Sequence, residues 1–435
     1  MIICSSKGTR AQLNVELLDH WTDTTIALAV EDARYSDLWG FTIKGQRYCA
    51  VGSSEGIEIL EVNKNSLRRV DRKPGAFQGY TVVHRDMKTY KNYLYAVGDE
   101  GTASLQIFDL SFLPDSMSKV YDSNAFFTVC HNIFIDTITA KLYACGPNNT
   151  GMKVLDISDP VNPVLLHDFN AVNYVHDCYV REDTAYLNCG FDGLHIYDFS
   201  SSTPVQLGVL DFYANQGYNH SGWLSPDSKK YAFVDETQGT KIKLCEIDQL
   251  AQIEVSATFG TRDFSTYTPH NIVLLNKLAV VAYYNEGLRI FDISRQPISE
   301  IGHYDTFLEE TAYKMNGAWG VYVFEANNQI LISDRQNGIY LFSFPLDIME
   351  ADSEGTFVTN TPFLDENSRI ITKDYFKEPG LTFSIVDLNG KILYRKASLM
   401  NWIHVPLSLP AGMYAYAIYN SDQELISSGK FVKAN

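Results

Sequence analysis

The sequence Gly151-Met-Lys-Val-Leu-Asp-Ile-Ser-Asp-Pro160 decides the fold, because its pattern returns later in the chain as Gly287-Leu-Arg-Ile-Phe-Asp-Ile-Ser294. Apolar and polar side chains alternate in both segments, and this period of two is typical of a β-strand rather than a helix. A glycine opens each strand and an Asp-Ile-Ser turn closes it. The recurrence of one strand with its flanking turns indicates a repeated structural unit.

The unit recurs every 42 to 51 residues, measured between the glycines of one turn. Each unit has two apolar strands, a polar turn that ends in glycine, and a third and fourth strand. The turn glycines are Gly56, Gly101, Gly151, Gly193, Gly239, Gly287 and Gly338. Four short strands at this spacing are typical of a β-propeller blade. A β-sandwich array or a β-helix is the competing interpretation, and it fits four-stranded repeats of this length less well.

Seven units predict seven blades, and the N-terminus supplies the strand that the last blade lacks. The seventh unit, residues 319–344, shows three strands before the pattern stops, and residues 13–20 match the fourth-strand pattern. A ring closed by this strand has no exposed sheet edge. The sequence therefore predicts an all-β protein: a seven-bladed β-propeller over residues 13–345, closed by an N-terminal strand and followed by a small β-sandwich domain.

The composition argues against several classes of function. The chain has 435 residues and a formal net charge of −17, which disfavours binding to nucleic acid or to an anionic membrane through bulk charge. No apolar window is long enough to predict a membrane span. His-Glu-x-x-His, Walker and dinucleotide motifs are missing. The seven cysteines include no CxxC pair, so a zinc site built on cysteine is not expected.

The first twelve residues look like the last part of an export signal. An apolar start is followed by small and polar residues that end near Ala11. We assign residues 1–12 to a residual leader and expect the true start to lie upstream. Two alternatives stay open: a lipoprotein in which Cys4 carries the lipid, and a short disordered leader.

The C-terminal part has a different composition. Residues 346–368 contain six acidic and no basic residues, with interspersed Gly, Ser and Thr, which is typical of a solvated linker. We assign residues 346–360 to an acidic linker and residues 361–435 to a second domain. Residues 381–394 predict a hairpin with an Asn-Gly turn. Further strand patterns follow, so a small β-sandwich is predicted.

The repeats resemble those of the LVIVD-repeat β-propellers, whose pattern is carried by residues 151–160 and 287–294. A wider set of motifs is similar to bacterial surface proteins of the choice-of-anchor B type. These motifs are Ser36-Asp-Leu-Trp-Gly-Phe41, His84-Arg-Asp86, His131-Asn132, His176-Asp177 and Pro269-His-Asn271. The resemblance covers residues 13–344. It implies a propeller fold and a location at the cell surface, and it names no ligand.

The second domain is similar to the C-terminal sorting domains of the type IX secretion system of Bacteroidetes. The similarity lies in Asp-Leu-Asn-Gly-Lys at 387–391, Leu-Pro-Ala-Gly-Met-Tyr at 409–414 and Gly-Lys-Phe-Val-Lys at 429–433. It implies export across the outer membrane of a Gram-negative bacterium, with the secretion machinery as a partner. The usual Tyr-Pro-Asn-Pro opening is missing. The alternative is an ordinary β-sandwich that binds a ligand or packs on the propeller.

Five histidines occupy one position of the repeat, at the start of the first strand of their blades. They are His84, His131, His176, His220 and His270. Trp39 and Trp319 fall near this position in the other two units. The same 17 residues separate Trp39 and three of the histidines from the turn glycine. Because first strands line the central channel of a propeller, we expect these side chains to surround one mouth of that channel.

Neighbouring side chains complete the predicted ligand site at this mouth. Three of these candidate side chains directly follow a histidine of the repeat, and they are Asn132, Asp177 and Asn271. Acidic residues of the polar turns, including Asp99 and Glu236, are expected farther out on the same face. Tyr218 and Tyr267 come just before two of the histidines, so they are candidates for an aromatic rim that binds carbohydrate or peptide.

Three roles are open for the histidines. Imidazoles that converge with carboxylates bind divalent metals, so the repeat predicts a calcium, zinc or magnesium site. Its candidate ligands are His131, His176, His220 and His270. Repeated histidines can instead connect blades through hydrogen bonds to the backbone or to Asp and Asn, and fivefold recurrence favours this structural role. Catalysis is the third role.

The predicted function is that of an exported binding or scaffold module. Its location is the extracellular space or the outer-membrane surface of a Gram-negative bacterium, and its ligand at the channel mouth is a protein, peptide or carbohydrate. The alternative is a metal-dependent hydrolase or lyase with its site at the same mouth. Whether the protein is an enzyme stays open, because propellers host many unrelated activities.

Overall fold

The computed structural model describes residues 12–261, 265–309, 315–346, 369–371, 381–387, 391–398, 402–404, 412–419 and 425–433. The chain divides into two compact units, Met1–Phe344 and Pro345–Asn435. Residues 1–11 of the predicted leader and residues 347–360 of the predicted linker lie outside the described residues. Where the chain is described, its regular secondary structure is β-strand apart from a few three-residue 3-10 helices, and none of its helices is long and apolar enough to cross a membrane.

The first unit begins with β1 (Gln12–Leu13) and β2 (Glu16–Trp21), and its described residues then form seven antiparallel sheets of consecutive strands. Sheet 1 contains β3 (Tyr35–Ile43), β4 (Gln46–Ser53), β5 (Gly56–Val62) and β6 (Leu67–Pro74). Sheet 2 contains β7 (Arg85–Tyr90), β8 (Tyr93–Gly98), β9 (Leu105–Asp109) and β10 (Ser118–Ser123). Sheet 3 contains β11 (Asn132–Asp136), β12 (Lys141–Cys145), β13 (Met152–Asp156) and β14 (Val164–Phe169).

The remaining four sheets repeat this arrangement. Sheet 4 contains β15 (Asp177–Arg181), β16 (Thr184–Asn188), β17 (Leu194–Asp198) and β18 (Val205–Leu210). Sheet 5 contains β19 (Asn219–Leu224), β20 (Lys230–Asp235), β21 (Ile242–Glu246) and β22 (Val255–Phe259). Sheet 6 contains β23 (Asn271–Leu274), β24 (Leu278–Ala282), β25 (Leu288–Asp292) and β26 (Ser299–Tyr304). Sheet 7 contains β27 (Ala318–Phe324), β28 (Gln329–Asp334) and β29 (Gly338–Ser343).

The two N-terminal strands join the last two sheets. β2 pairs with β29 and is the fourth strand of sheet 7, whereas β1 pairs with β26 in sheet 6, with Leu13 opposite His303. The predicted single strand over residues 13–20 is therefore corrected to two strands, Gln12–Leu13 and Glu16–Trp21. Asn14 adopts a left-handed conformation, with φ at 54°, and so separates two short strands.

The first strands of the sheets contact one another in sequence order. β3 contacts β7, β7 contacts β11, and the relation continues through β15, β19 and β23 to β27, which in turn contacts β3. Hydrophobic side chains fill the space between neighbouring sheets, and one cluster with Phe134, Tyr186 and Tyr231 connects sheets 3, 4 and 5. Burying a side chain of this size stabilises the fold by about 1.5–3 kcal/mol. The first strands therefore form a closed cycle of contacts.

Aspartates at the ends of the third strands cap the turns that follow, as the repeat predicted. Asp156 Oδ1 accepts a hydrogen bond of 2.7 Å from the backbone N–H of Ser158. The same contact, two residues along the chain, is made by Asp109, Asp198 and Asp292. This side-chain cap explains why the Asp-x-Ser sequence recurs at this point of the unit.

The second unit contains two further sheets. Its strands are β30 (Arg369–Ile371), β31 (Leu381–Val386), β32 (Ile392–Ser398), β33 (Trp402–His404), β34 (Gly412–Tyr419) and β35 (Leu425–Lys433). β30 pairs with β33, and the other four form an antiparallel sheet in the order β32-β31-β34-β35. The predicted hairpin over residues 381–394 is confirmed as the antiparallel pair β31–β32. Residues 388–390, which include its Asn-Gly turn, lie outside the described residues.

Candidate functional site

Six aromatic side chains lie at equivalent positions, at the start of six first strands. Four histidines directly precede a first strand, while one histidine and one tryptophan are the second residue of theirs. The pairs are His84 with β7, His131 with β11, His176 with β15, His220 with β19, His270 with β23 and Trp319 with β27. The structure thus places the five histidines and Trp319 together, as the repeat spacing predicted.

The six side chains form a closed circle of ring contacts, which we call the histidine ring. In the order His84, His131, His176, His220, His270 and Trp319, successive ring centroids are 4.4, 4.2, 4.2, 4.4 and 4.2 Å apart. The circle closes between Trp319 and His84 at 5.8 Å. Each member comes from a different sheet, so the ring connects sheets 2 to 7.

Three histidines of the ring form hydrogen bonds to the backbone of the next sheet. His84 Nε2 is 2.7 Å from the carbonyl oxygen of His131, and His176 Nδ1 is 2.9 Å from that of His220. His270 Nδ1 is 2.7 Å from the carbonyl oxygen of Trp319. Because a carbonyl only accepts, these nitrogens carry the proton and donate. The contacts match the structural role that the sequence left open.

Trp39, which the spacing placed near the histidine position, lies elsewhere. β3 has nine residues and β7 has six, and the pairing of β3 with β4 shifts register between Tyr35 and Leu38. A residue that lies 17 positions before the turn glycine is therefore farther along the first strand in sheet 1 than in the sheets with histidines. Trp39 lies within β3, opposite Ala50, with its ring centroid 5.0 Å from that of Tyr322. The prediction that Trp39 joins the histidines is corrected.

Burial favours the neutral form of four imidazoles of the ring. It lowers the pKa of His131, His176 and His270 below the usual value, and it lowers the pKa of His220 to about 3. The adjacent imidazoles lower each pKa further, because protonating one would place its charge beside the others. A neutral imidazole offers one N–H donor and one lone pair. The ring therefore carries lone pairs at neutral pH.

Glu236, in the polar turn after β20, lies beside two members of the ring. Its Oε2 is 3.8 Å from His220 Nε2, and its Oε1 is 4.0 Å from His270 Nε2. The hydroxyl of Tyr284 donates a hydrogen bond to the same carboxylate. Burial raises the pKa of the Glu236 carboxyl. A carboxylate and two imidazoles thus converge from sheets 5 and 6.

The structure separates the four predicted metal ligands. His220 and His270 share Glu236, and these are the one such group of three in the described part of the chain, with ligand atoms within 4.8 Å of one another. His131 instead contacts Asp99, with 2.9 Å between Nδ1 and Oδ2. Two of the four histidines therefore lie at one carboxylate, and each of the others has a different hydrogen-bond partner.

A second layer of polar side chains lies on the first strands, and we call Asp37, Asp86, Lys88 and Asp177 the carboxylate layer. Lys88 Nζ is 2.6 Å from Asp86 Oδ1 and 4.7 Å from the centroid of the Trp39 ring. Burial, with the nearby charge of Asp86, raises the pKa of Asp37 to about 6 and the pKa of Asp177 to about 8. One ammonium is thus surrounded by three carboxyl groups.

Several predicted site residues lie at this layer rather than in the ring. Asn132, Asp177, Asn271 and Trp39 line one cavity together with Asp37 and Lys88. Asn132 also reaches the ring, with Oδ1 3.2 Å from His84 Nε2. Asp37, Asp86 and Lys88 were not among the predicted site residues. Asp37 could have been noticed as a charged residue inside the largely apolar β3, whereas β7 is mostly polar and gave no such contrast for Asp86 and Lys88.

Aromatic side chains extend outward from the ring at sheets 3 to 5. The ring of Tyr218 lies edge-on to His176 with 5.3 Å between centroids, and Phe191 lies edge-on to Tyr218 at 5.2 Å. Phe191 is 76% exposed. The predicted rim residue Tyr218 is therefore at the ring, whereas Tyr267 packs against a core cluster between sheets 5 and 6. Phe191 was not among the predicted site residues, although a large apolar residue in a polar turn of the sequence could have indicated it.

Comparison with known proteins establishes the fold. The structure of U3-55K superposes with a TM-score of 0.56 at 11% identity, covering 76% of this chain and 98% of that one. The crystal structure of the RRP9 WD40 repeats superposes with a TM-score of 0.53 at 11% identity, covering 77% and 98%. No protein-family model matches the sequence, and no curated protein matches it. The chain has a β-propeller fold with repeated four-stranded sheets.

Proposed function

We propose that this chain is a protein-binding propeller whose partner docks on the face that carries the histidine ring. The observation that supports this most is an aromatic patch in which the exposed Phe191 packs on the half-buried Tyr218 beside His176. Exposed aromatic side chains anchored on a rigid element are typical of protein-binding surfaces. Since sheet turns flank the ring on this face, a docked segment contacts several sheets at once.

The patch continues onto the next loop. The side-chain amide of Gln216 donates hydrogen bonds of 3.2 Å to the carbonyl oxygens of Phe191 and Asp211. It thereby holds the turn of sheet 4 beside the loop that carries Phe212, a side chain that is 82% exposed. Two exposed phenylalanines on connected loops present an apolar surface. The proposed partner therefore inserts apolar side chains here, and the acidic turns nearby favour basic residues next to them.

We propose further that sheets 1 to 7 are the seven blades of one ring, closed by β2. The support is the cycle of contacts among first strands, which returns from β27 to β3, and the pairing of β2 with β29. A closed ring fixes the spacing of the six aromatic side chains, because each blade holds its neighbour in place. The proposed docking face is therefore rigid before its partner arrives.

Photo-crosslinking from the patch tests the binding role. The full chain carries p-benzoylphenylalanine at position 191 in one variant and at position 112 in the control. Phe112 is also exposed, at 61%, but it lies in the turn after β9, at the opposite end of its sheet. In the native organism we expect discrete crosslinked polypeptides from position 191 and none from position 112. Absence of crosslinks, or the same products from both positions, contradicts the proposal.

We also propose that the protein is exported by a type IX system and acts at the cell surface, with residues 361–435 as its sorting domain. The sorting-domain motifs of the sequence and the compact second unit support this. Deleting residues 361–435 should leave the propeller inside the cell, as measured by protease accessibility of intact cells. The full chain with Lys396→Ala in β32, which lies outside the three sorting motifs, provides the control for altered sequence. Normal surface delivery of the deletion variant contradicts the sorting role.

A further inference from the structure

Two imidazoles and one carboxylate converge at the mouth of the ring, where sheets 5 and 6 meet. We propose that His220, Glu236 and His270 form a binding site for one zinc ion. The distances from the carboxylate oxygens to the two Nε2 atoms are 3.8 and 4.0 Å, and all three ligand atoms lie within 4.8 Å of one another. The site stands independently of the proposed protein-binding role, because metal binding is measurable without a partner.

His270 is held in the tautomer that binds a metal. Its Nδ1 donates to the carbonyl oxygen of Trp319 at 2.7 Å, so its lone pair is on Nε2, the atom that faces Glu236. A metal-bound histidine usually donates its other ring N–H to a carbonyl or carboxylate in this way, which orients the imidazole. His270 is therefore already arranged as a ligand.

His220 is buried beside the same carboxylate. It is 3% exposed, and its Nε2 is 3.8 Å from Glu236 Oε2, which is beyond hydrogen-bond distance. Glu236 therefore does not form a direct hydrogen bond with this nitrogen. A metal ion on Nε2 would connect the imidazole to the carboxylate that lies beside it.

The three side chains must approach one another to bind one ion. Zinc binds histidine nitrogen at about 2.0–2.1 Å, so two ligands of a tetrahedral ion are roughly 3.4 Å apart. The two carboxylate oxygens lie 3.8 and 4.0 Å from the two Nε2 atoms, and the three ligand atoms as a set lie within 4.8 Å. The hydroxyl of Tyr284 donates to Glu236 and holds the carboxylate beside the histidines. Zinc binding therefore requires side-chain rotations that shorten these separations.

The donor set selects zinc among the predicted metals. Calcium and magnesium prefer oxygen ligands, whereas two imidazoles with one carboxylate are a common zinc set. Three protein ligands leave one position of a tetrahedral ion open. The Glu236 side chain is 20% exposed, so the site opens toward the mouth. Water or a donor from a docked partner can occupy that position, and the metal-dependent hydrolase or lyase alternative depends on this site.

Zinc titration of the full chain tests the proposal. The purified protein is stripped with a chelator and titrated with ZnCl₂ against a competing chromogenic chelator. We expect one zinc per chain, and we expect Glu236→Gln to weaken binding by more than about 100-fold, since losing even an outer-shell partner costs 10–100-fold. The matched control is Asp99→Asn, which removes a carboxylate that contacts one histidine only. It should bind zinc as the unaltered chain does.

A second measurement keeps the test valid if a variant folds poorly. An ion that binds the native state alone raises the melting temperature. Zinc should therefore raise the melting temperature of the unaltered chain and of Asp99→Asn, but not of a folded Glu236→Gln. Cobalt substitution should give the intense visible absorption of a tetrahedral site. Zinc bound at less than one equivalent, or bound equally by Glu236→Gln, overturns the proposal.

Discussion

The histidine ring and the carboxylate layer meet at β7 and β15 but satisfy their polar groups differently. In the carboxylate layer, Asp86 accepts hydrogen bonds from the backbone N–H groups of Met87 and Ile133 and from the Lys88 ammonium, at 2.7, 2.8 and 2.6 Å. In the ring, the Nε2 atoms of His220 and His270 lie 3.8 and 4.0 Å from Glu236, beyond hydrogen-bond distance. This difference supports our proposal that the inner layer stabilises the ring of sheets and that the mouth binds a ligand.

Among the variants that test this comparison, removal of the Asp86 carboxylate should cause the largest loss in the free energy of unfolding. Asp86 is buried and connects sheet 2 to sheet 3 through the Ile133 N–H. Asp86→Ala leaves the Lys88 ammonium without its closest carboxylate, and breaking a buried ion pair from one side costs about 3–5 kcal/mol. We expect urea unfolding to show a loss of that size.

A surface ion pair provides the control for Asp86. Lys230 and Glu246 are 2.5 Å apart, but their side chains are 27% and 49% exposed. Glu246→Ala should therefore cost less than about 1 kcal/mol. If Asp86→Ala is no more destabilising than Glu246→Ala, the carboxylate layer does not hold the sheets together.

Asp177 should make the stability of the protein depend on pH. Its folded pKa is raised to about 8, so the folded carboxyl keeps a proton that the unfolded chain loses near pH 3.9. The folded state then binds more protons, and stability falls as pH rises through this window. Between pH 5 and pH 7 the loss attributable to Asp177 should be up to about 3 kcal/mol.

The variant Asp177→Asn isolates this contribution. It cannot titrate, so its free energy of unfolding should fall less between pH 5 and pH 7 than that of the unaltered chain. Asp192→Asn is the control, because Asp192 is an exposed aspartate of the same sheet. Equal pH slopes for the unaltered chain and Asp177→Asn would show that Asp177 is ionised when folded.

A smaller effect is expected when the ring loses one of its hydrogen bonds between sheets. His84→Ala removes the donor to the His131 carbonyl, and a buried polar group left unpaired costs about 1–3 kcal/mol. His195→Ala, at a half-buried position outside the ring, should cost less than about 0.5 kcal/mol. Thermal unfolding of both variants measures the difference. If the two losses are equal, the ring does not contribute to stability.

Strand periodicity predicted most of the fold because apolar residues recur at every second position of the third strands, as Met152 and Val154 do on either side of Lys153 in β13. The N-terminal strand was placed nearly correctly, but its division at Asn14 depends on one left-handed residue that the alternation does not show. The position of Trp39 was wrong because counting residues assumes strands of equal length, and β3 is longer than β7. Periodicity thus predicts which segments are strands, but it predicts the position of a residue along its strand less well.

The candidate site was predicted in part for the same reason. The histidines share a strand position, so the repeat was sufficient to bring them together. The pairing of Glu236 with His220 and His270, rather than with His131, depends on how the turns of neighbouring sheets approach each other. Lys88 and Asp37 meet across sheets 1 and 2, a contact that no spacing within one unit encodes.

The most direct measurement is anomalous diffraction at the zinc edge from crystals of the full chain grown with zinc. The account predicts one strong peak bounded by His220 Nε2, His270 Nε2 and the Glu236 carboxylate, and no peak among Asp37, Asp86 and Asp177, where Lys88 already supplies the positive charge. A peak in the carboxylate layer, or none at the three proposed ligands, would contradict the assignment of binding to the mouth and of stabilisation to the inner layer.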